Sequence, residues 1–412
     1  MKQARVVVTG MGILSSNASS GPEFADALRA GRSGIRDITQ FDTAFPFKLG
    51  GEVDVDDVDF QLDRVSRLAA NAGRQAISDS ALASDGAWRE ETGLCIGTSR
   101  GPAISLERLL STKCEVTSRA LFEEIPFHSI ARNVGRILGL RGPVTTVSMA
   151  CVSSSMAIGH AFNAIRRGRA SIMLAGGADS LTNLSFSGFS LLRAMTRSVC
   201  RPFDSRRDGI ILGEGAGILV LEDLEHARAR GARIYAEIRG WGTAGDAHHA
   251  TSPSPDGRGL TLAMRQALQQ AELTPDDVEH VNLHGTGTPS NDASESQAMH
   301  HVFGERAASI PVNSLKPMFG HTLGAAGVLE LAGTILGMKG GFVAPTLNTE
   351  RLDPACNLNV VRGDSLNLSY ETLLSTKSAF GGANVAIAAR RYVDTDIAAS
   401  IIPRSSECPA KS

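Results

Sequence analysis

Short β-branched apolar runs alternate along the chain with longer stretches rich in alanine. Val6–Val8 is followed by Phe24–Ala30, Leu94–Gly97 by Ser105–Leu110, and Ala157–Arg166 leads into Ile172–Ala175. Strand-sized runs separated by helix-sized ones predict an α/β fold with largely parallel strands. Helical stretches such as Gly324–Met338 are built from Ala, Gly and other small or apolar residues. They are expected to pack buried and close, because small side chains let backbones approach. The order of strand, polar turn and buried helix occurs at Val144–Arg166 and again at Ile310–Met338, a loose internal echo. The polar stretch Asp246–Gly257 reads as a loop and marks a division into residues 1–250 and 251–412. A tail after about residue 393, ending in Pro403–Ser412, is expected to fray. Val6–Thr9 reads as a first strand, not a signal peptide, since Gly10 and Gly12 interrupt the apolar stretch. No apolar run is long enough for a membrane span.

Composition narrows the function classes. With 412 residues, 42% hydrophobic and 20% charged, the chain can bury a large core in two domains or one double-layered one. A net charge of −2 and 5% aromatics, with no basic stretch among them, argue against nucleic-acid binding. Six cysteines lie far apart with no CxxC pair. That argues against structural zinc and against a disulfide framework, and fits a reducing cytoplasm. The adjacent pairs His248-His249 and His300-His301 diverge on any regular element and cannot jointly hold a metal, so no metal site is expected.

The chemistry centres on Cys151, which ends the strand-like Val144–Ala150 and opens a helix-like segment. A thiol there meets unpaired backbone N–H groups and the positive end of a helix dipole, which favour thiolate. The alternative is a small buried hydrophobe, which is what most free cysteines are. His284 stands at the mouth of the loop His284-Gly285-Thr286-Gly287-Thr288, and Lys316 and His321 share the turn Lys316–Gly324. One Cys, two His and one Lys on strand-end turns are the parts of an acyl-transfer and carbanion site. Gly213-Glu214-Gly215-Ala216-Gly217 has the spacing GxGxG, but an apolar run follows it where a dinucleotide site needs a helix. Close strand packing is the reading there.

Together these segments resemble an elongating β-ketoacyl-acyl carrier protein synthase, the condensing enzyme of type II fatty acid and polyketide assembly. The resemblance runs from Val6–Gly12 to Ala379–Asn384 and includes the Cys151 segment, Arg201–Asp204, Leu212–Gly217, the His284 loop and Lys316–His321. It implies a thiolase fold, with two similar βαβαβαββ halves in five αβαβα layers. It implies Cys151 as acyl acceptor, and the N–H groups of Cys151 and Phe380 as oxyanion hole. His284 and His321 would be enolate stabilisers, and Lys316 a buried cation paired with Glu330. Phe380 would also gate the acyl pocket. Thr286 and Thr288 would bind the phosphopantetheine arm, or else stabilise their own turn. Asp292 and Glu295 either support the His284 loop or form a solvated helix start. Arg193, with Arg64, Arg67, Arg132 and Arg136, would dock an acidic acyl carrier protein; each can equally be a solvated cation.

The resemblance implies no bound cofactor, and a homodimer, or a heterodimer with a chain-length-setting subunit. Such subunits lack the nucleophile, so this chain would be the active member. A thiolase would need a second cysteine in Ala379–Asn384, an initiating synthase a Cys-His-Asn set, and a cysteine hydrolase no His-Lys-His set. The chain departs from the pattern at Ser378, Ala379 and Phe60-Gln61. These departures hint at altered gating and a specialised product such as a polyene.

Overall fold

The computed structural model describes residues 3–54, 62–83, 86–111 and 119–393. The tail after 393 and the pair Phe60-Gln61 lie outside the described residues.

The first half of the chain supplies β1 (Val6–Leu14), α1 (Arg64–Ser80), β2 (Gly93–Gly97), α2 (His128–Leu138), β3 (Val144–Val147), α3 (Ser153–Arg166), β4 (Ile172–Asp179) and β5 (Gly215–Asp223). The second supplies β6 (Ala236–Gly245), α4 (Arg258–Ala271), β7 (His280–Asn282), α5 (Pro289–Phe303), β8 (Pro311–Asn313), α6 (Ala326–Gly340), β9 (Asn359–Val360), β10 (Thr372–Ser378) and β11 (Ala383–Arg390). Leaving aside the edge strand β9 and the short helices and strands of the connections, each half reads βαβαβαββ, so the internal echo is a structural repeat. The eleven strands form one sheet in the order β9-β8-β7-β10-β11-β6-β1-β5-β4-β2-β3.

Within the sheet, the halves are joined where Val6–Val8 of β1 pairs with Ala236–Ile238 of β6. Helix α3 packs on β2, β3 and β4 and also reaches β11, while α6 packs on β10 and β7 and also reaches β4 and β5. These two helices therefore form a central layer between the two halves of the sheet. Helices α1 and α2 cover the outer face of the first half, and α4, with α5 beside it, that of the second. The result is the five-layered thiolase fold, with one apolar cluster around the central helices and one under each outer pair.

Strands toward the sheet ends pair parallel, as expected. Those near the junction are antiparallel, and there the consecutive strands β4 and β5, and β10 and β11, pair directly with each other. Strand β6 pairs with β11 almost along its whole length. On hydrogen-bonding grounds we place the division before Ala236, ahead of the 250/251 position read from the loop.

Small residues in the central layer have the expected purpose. A Cβ on Gly97 would lie 2.3 Å from the carbonyl carbon of Ser153, and one on Gly327 2.2 Å from Ser155 Oγ. Both contacts are far inside van der Waals range, so glycine there sets how closely the central helices approach. The GxGxG stretch behaves as read: it enters β5, and Gly213 packs against the backbone of Phe319.

Candidate active site

The chain leaves β3 and turns sharply before α3. Ala150, just ahead of the cysteine, has φ +46°, a left-handed conformation that costs a non-glycine residue about 1–2 kcal/mol. Ser153 secures this elbow: its hydroxyl bonds Ala150 O at 2.6 Å and accepts Met149 N–H at 2.8 Å. Helix α3 begins at Ser153. Cys151 therefore stands two residues ahead of the helix, at its positive end.

The second half delivers the histidines. His284 follows β7, and its loop is held from beneath by two buried carboxylates of α5. Glu295 accepts His284 N–H at 2.5 Å and Gly285 N–H at 2.7 Å. Asp292 accepts Thr286 N–H at 3.1 Å, Gly287 N–H at 3.2 Å and Phe203 N–H at 2.8 Å. Both acids thus support the loop rather than forming a solvated helix start. Burial raises the Glu295 carboxyl to about 7.

His321 is fixed on both sides by backbone, donating its N–H to Ile211 O at 2.7 Å and accepting Gly213 N–H at 3.0 Å. The two imidazoles stand edge to face with centroids 5.2 Å apart. His321 Nδ1 accepts Leu323 N–H at 3.3 Å, which puts its proton on Nε2. His284 Nδ1 is buried without a partner among the described residues. An orphaned lone pair costs less than an orphaned N–H, so its proton also belongs on Nε2.

Lys316 is fully buried, donates to His284 O, and lies 2.7 Å from Glu330 Oε1. The expected Lys316–Glu330 pair is therefore formed, and it grips the backbone of the histidine loop. Two further ionisable groups join the site that reading the sequence did not bring out. Lys377 of β10 lies 2.9 Å from Glu330 Oε2. Asp179, at the end of β4, ties three segments together by accepting from Thr98 Oγ1 at 2.8 Å, Ser99 N at 2.8 Å and Gly324 N at 2.6 Å. For Asp179 the available signal was a charge at the end of an otherwise small or apolar strand, since an unpaired buried charge demands partners.

Cys151, His284, His321, Thr286, Thr288 and Phe380 line one cavity of about 230 Å³. Thr286 and Thr288 hydroxyls bond each other at 2.9 Å, so they steady their turn and face the cavity at once. The Phe380 ring, 37% exposed, stacks on Phe189 with centroids 5.5 Å apart. Ser378 donates to Asn384 Oδ1 at 2.7 Å, which pins the base of the Phe380 turn. Among the described residues no cluster of three His, Cys, Asp or Glu is placed to hold a metal ion.

Electrostatics corrects one expectation. Burial pushes the Cys151 thiol up to about 12, against the smaller opposing pull of Lys316, Arg100 and its own backbone amide. Desolvation outweighs the helix terminus, so the resting group is a thiol, not a standing thiolate. Both imidazoles are held well below their usual value, first by burial and then by Lys316. They are therefore neutral at pH 7. Histidine-labelled NMR should show His284 and His321 unprotonated from about pH 8 down to about pH 6. A titration of either near 6.5 would contradict this placement.

The five arginines separate. Arg193 is exposed, has φ +54°, and stands at the cavity mouth. Arg132 and Arg136 are exposed one turn apart on α2. Arg64 turns inward and bonds Glu214 at 2.7 and 2.9 Å, and Arg67 has two guanidinium nitrogens buried. Both are half-buried, unlike the other three. The pull comes from buried Glu214, which sequence alone does not link to Arg64.

A family profile described as beta-ketoacyl synthase, N-terminal domain, matches residues 3–227, and that for the C-terminal domain matches 235–350. The chain belongs to the β-ketoacyl synthase family. A 3-oxoacyl-[acyl-carrier-protein] synthase 2 from Synechocystis sp. is 38% identical, over 95% of this chain and 99% of the relative. A tetracenomycin polyketide synthase ketoacyl synthase alpha subunit from Streptomyces glaucescens is also 38% identical, over 95% of this chain and 98% of the relative. Among solved structures, the ishigamide ketosynthase/chain length factor matches with a TM-score of 0.90 at 36% identity, over 95% of this chain and 100% of that one. Membership in this family makes the synthase an acyltransferase. No helix among its described residues is long and apolar enough to cross a membrane.

Proposed function

We propose that the chain joins an acyl group held on Cys151 to a malonyl unit held on an acyl carrier protein, by decarboxylative Claisen condensation. The observation that carries this reading is the shared cavity: Cys151 of the first half faces His284 and His321 of the second, with the Lys316–Glu330 pair behind them.

In the first step Cys151 Sγ attacks the thioester carbonyl of an incoming acyl group. The bond to the pantetheine sulfur breaks, and the thiol proton leaves with that sulfur. The N–H groups of Cys151 and Phe380 hold the transient oxyanion. In the second step a malonyl thioester places its carbonyl oxygen against the two Nε2–H donors. The bond to the carboxylate breaks, CO2 departs, and the electron pair becomes an enolate held by those donors. Neutral imidazoles suit this work, because they donate a hydrogen bond without handing over the proton. In the third step the enolate carbon attacks the acyl carbonyl, the bond to Cys151 breaks, and the sulfur leaves and takes up one proton from solvent. The product is a β-ketoacyl group on the carrier protein. The substrates bring their own phosphopantetheine arm, threaded past Thr286 and Thr288, and no step calls on a bound cofactor.

Support for the carrier protein comes from the name of the Synechocystis relative and from Arg193 at the mouth. Replacing Arg193 with Glu should raise KM for the malonyl carrier protein about tenfold, as for one lost charge contact, and leave the rate with a small malonyl thioester unchanged. Equal losses with both substrates would remove Arg193 from docking.

Strand β3 supports a dimer. It closes one end of the sheet, and Val144 within it and Met149 just after it are 41% and 40% exposed. An open edge of this kind pairs readily with a second copy or with a related chain-length-setting subunit, in which case this chain is the active member. Light scattering on the chain alone and after co-expression with such a subunit separates the two. Four described cysteines are unpaired, which fits a cytoplasmic setting, checked by fractionation. Ser378 and Ala379 at the gate favour a specialised polyketide or polyene product, to be read from a product profile with defined carrier proteins.

A further inference from the structure

The mechanism above gives no task to the buried ammonium of Lys377. Lys377 stands on β10, three residues before Phe380, with its side chain 1% exposed. Its ammonium donates to Asn282 Oδ1 at 2.8 Å and to Thr376 O at 2.7 Å, and lies 2.9 Å from Glu330 Oε2. The other oxygen of that carboxylate holds Lys316 at 2.7 Å. One glutamate on α6 therefore serves two lysines, and the three together carry a surplus positive charge in the core.

A surplus buried charge is expensive. If Lys316 needed only to be oriented, Glu330 would be enough, and a neutral residue at 377 would cost less. The surplus also sits at a particular place. Asn282 ends β7, two residues ahead of His284, and both imidazoles feel the Lys377 charge. The strand that carries Lys377 runs on to Phe380 at the cavity.

We propose that Lys377 is a positioning residue for the decarboxylation step, making the Lys316–Glu330–Lys377 cluster a net cation that favours negative charge on the enolate oxygen through His284 and His321. This rests on the condensing reading of the site and deepens it. Lys377 touches no substrate. It acts by holding Asn282 and Glu330 and by adding potential behind the two imidazoles. Acyl transfer to Cys151 creates no lasting negative charge at the histidines, so that step is spared.

The same cluster predicts an alkaline limit. The titratable groups around Lys377 are Glu330, Lys316, Glu295 and the two histidines. Burial, aided by Lys316 and opposed by Glu330, brings its ammonium down to about 8. Below that pH the cluster is a net cation, and above it the surplus charge is lost.

The test measures both half-reactions on the full chain with acyl- and malonyl-loaded carrier protein. Lys377→Met should lose malonyl decarboxylation about tenfold to a hundredfold, the usual size for a group that acts through another, and keep Cys151 acylation within about threefold. Lys377→Arg, which stays charged, should recover most of the loss. In the unaltered chain, decarboxylation should fall above about pH 8 while acylation does not, and Lys377→Arg should move that fall upward. The pH arm needs no variant, so it stands even if Lys377→Met fails to fold. Equal loss of both half-reactions in Lys377→Met, or decarboxylation that stays flat to about pH 9.5 in the unaltered chain, would overturn the proposal. An unaltered chain that never decarboxylates malonyl carrier protein would instead remove the condensing reading.

Discussion

Cys151→Ala should gain no mass when incubated with an acyl-loaded carrier protein, and should form no condensation product. Every acyl group to be extended in the proposed cycle is first held on that one sulfur, so no residual route exists to soften the loss. Cys151→Gln should behave differently. Its carboxamide stands where the acyl carbonyl would be, while His284, His321 and the Lys316–Glu330 pair come from the other half of the sheet and keep their contacts. Malonyl decarboxylation should therefore persist in Cys151→Gln although no carbon–carbon bond is formed. Intact-mass analysis and CO2 release read the two variants directly. A mass gain that survives in Cys151→Ala would place the acyl group elsewhere.

His284→Ala and His321→Ala should separate the steps in the opposite way. Acylation of Cys151 should stay measurable, because neither imidazole is needed to hold the first oxyanion. Condensation should fall on the order of 10²–10³ in each, the typical cost of one donor aimed at developing charge. The double variant should lose less than the product of the two, since the pair acts on one oxygen. Single-turnover measurement of each half-reaction checks this. Unchanged condensation in either single variant would refute its role.

What the sequence made legible follows from how local each signal is. The Cys151 elbow could be read because a β-branched run, a small-residue turn and an Ala-rich helix are contiguous. The same holds for the turn that carries Lys316 and His321, and for the repeat that joins β3–α3 to β8–α6. Glu330 could be placed because the resemblance implies a glutamate paired with Lys316, and Glu330 is the acid on the otherwise apolar helix α6. Signals that depend on distant segments were hidden. Strand β6 looks like any apolar run, and only its pairing with β11 assigns it to the second half. Arg64 looks like a surface cation until Glu214, 150 positions away, draws it inward. Lys377 lies among threonines and serines, and its demand for Glu330 exists only once β10 packs on α6. Burial of the Cys151 thiol likewise comes from both halves closing over it, which is why its helix-end position alone predicted ionisation and the folded protein opposes it.

The most direct measurement is a single turnover starting from chain already acylated and isolated. On adding malonyl carrier protein, mass spectrometry should show the acyl mass leaving the Cys151 peptide and appearing on the carrier as a β-ketoacyl group. One CO2 should be released per group transferred. If the acyl group stays on the chain while CO2 is released, or leaves as a free acid with no new carbon–carbon bond, the condensing account is contradicted.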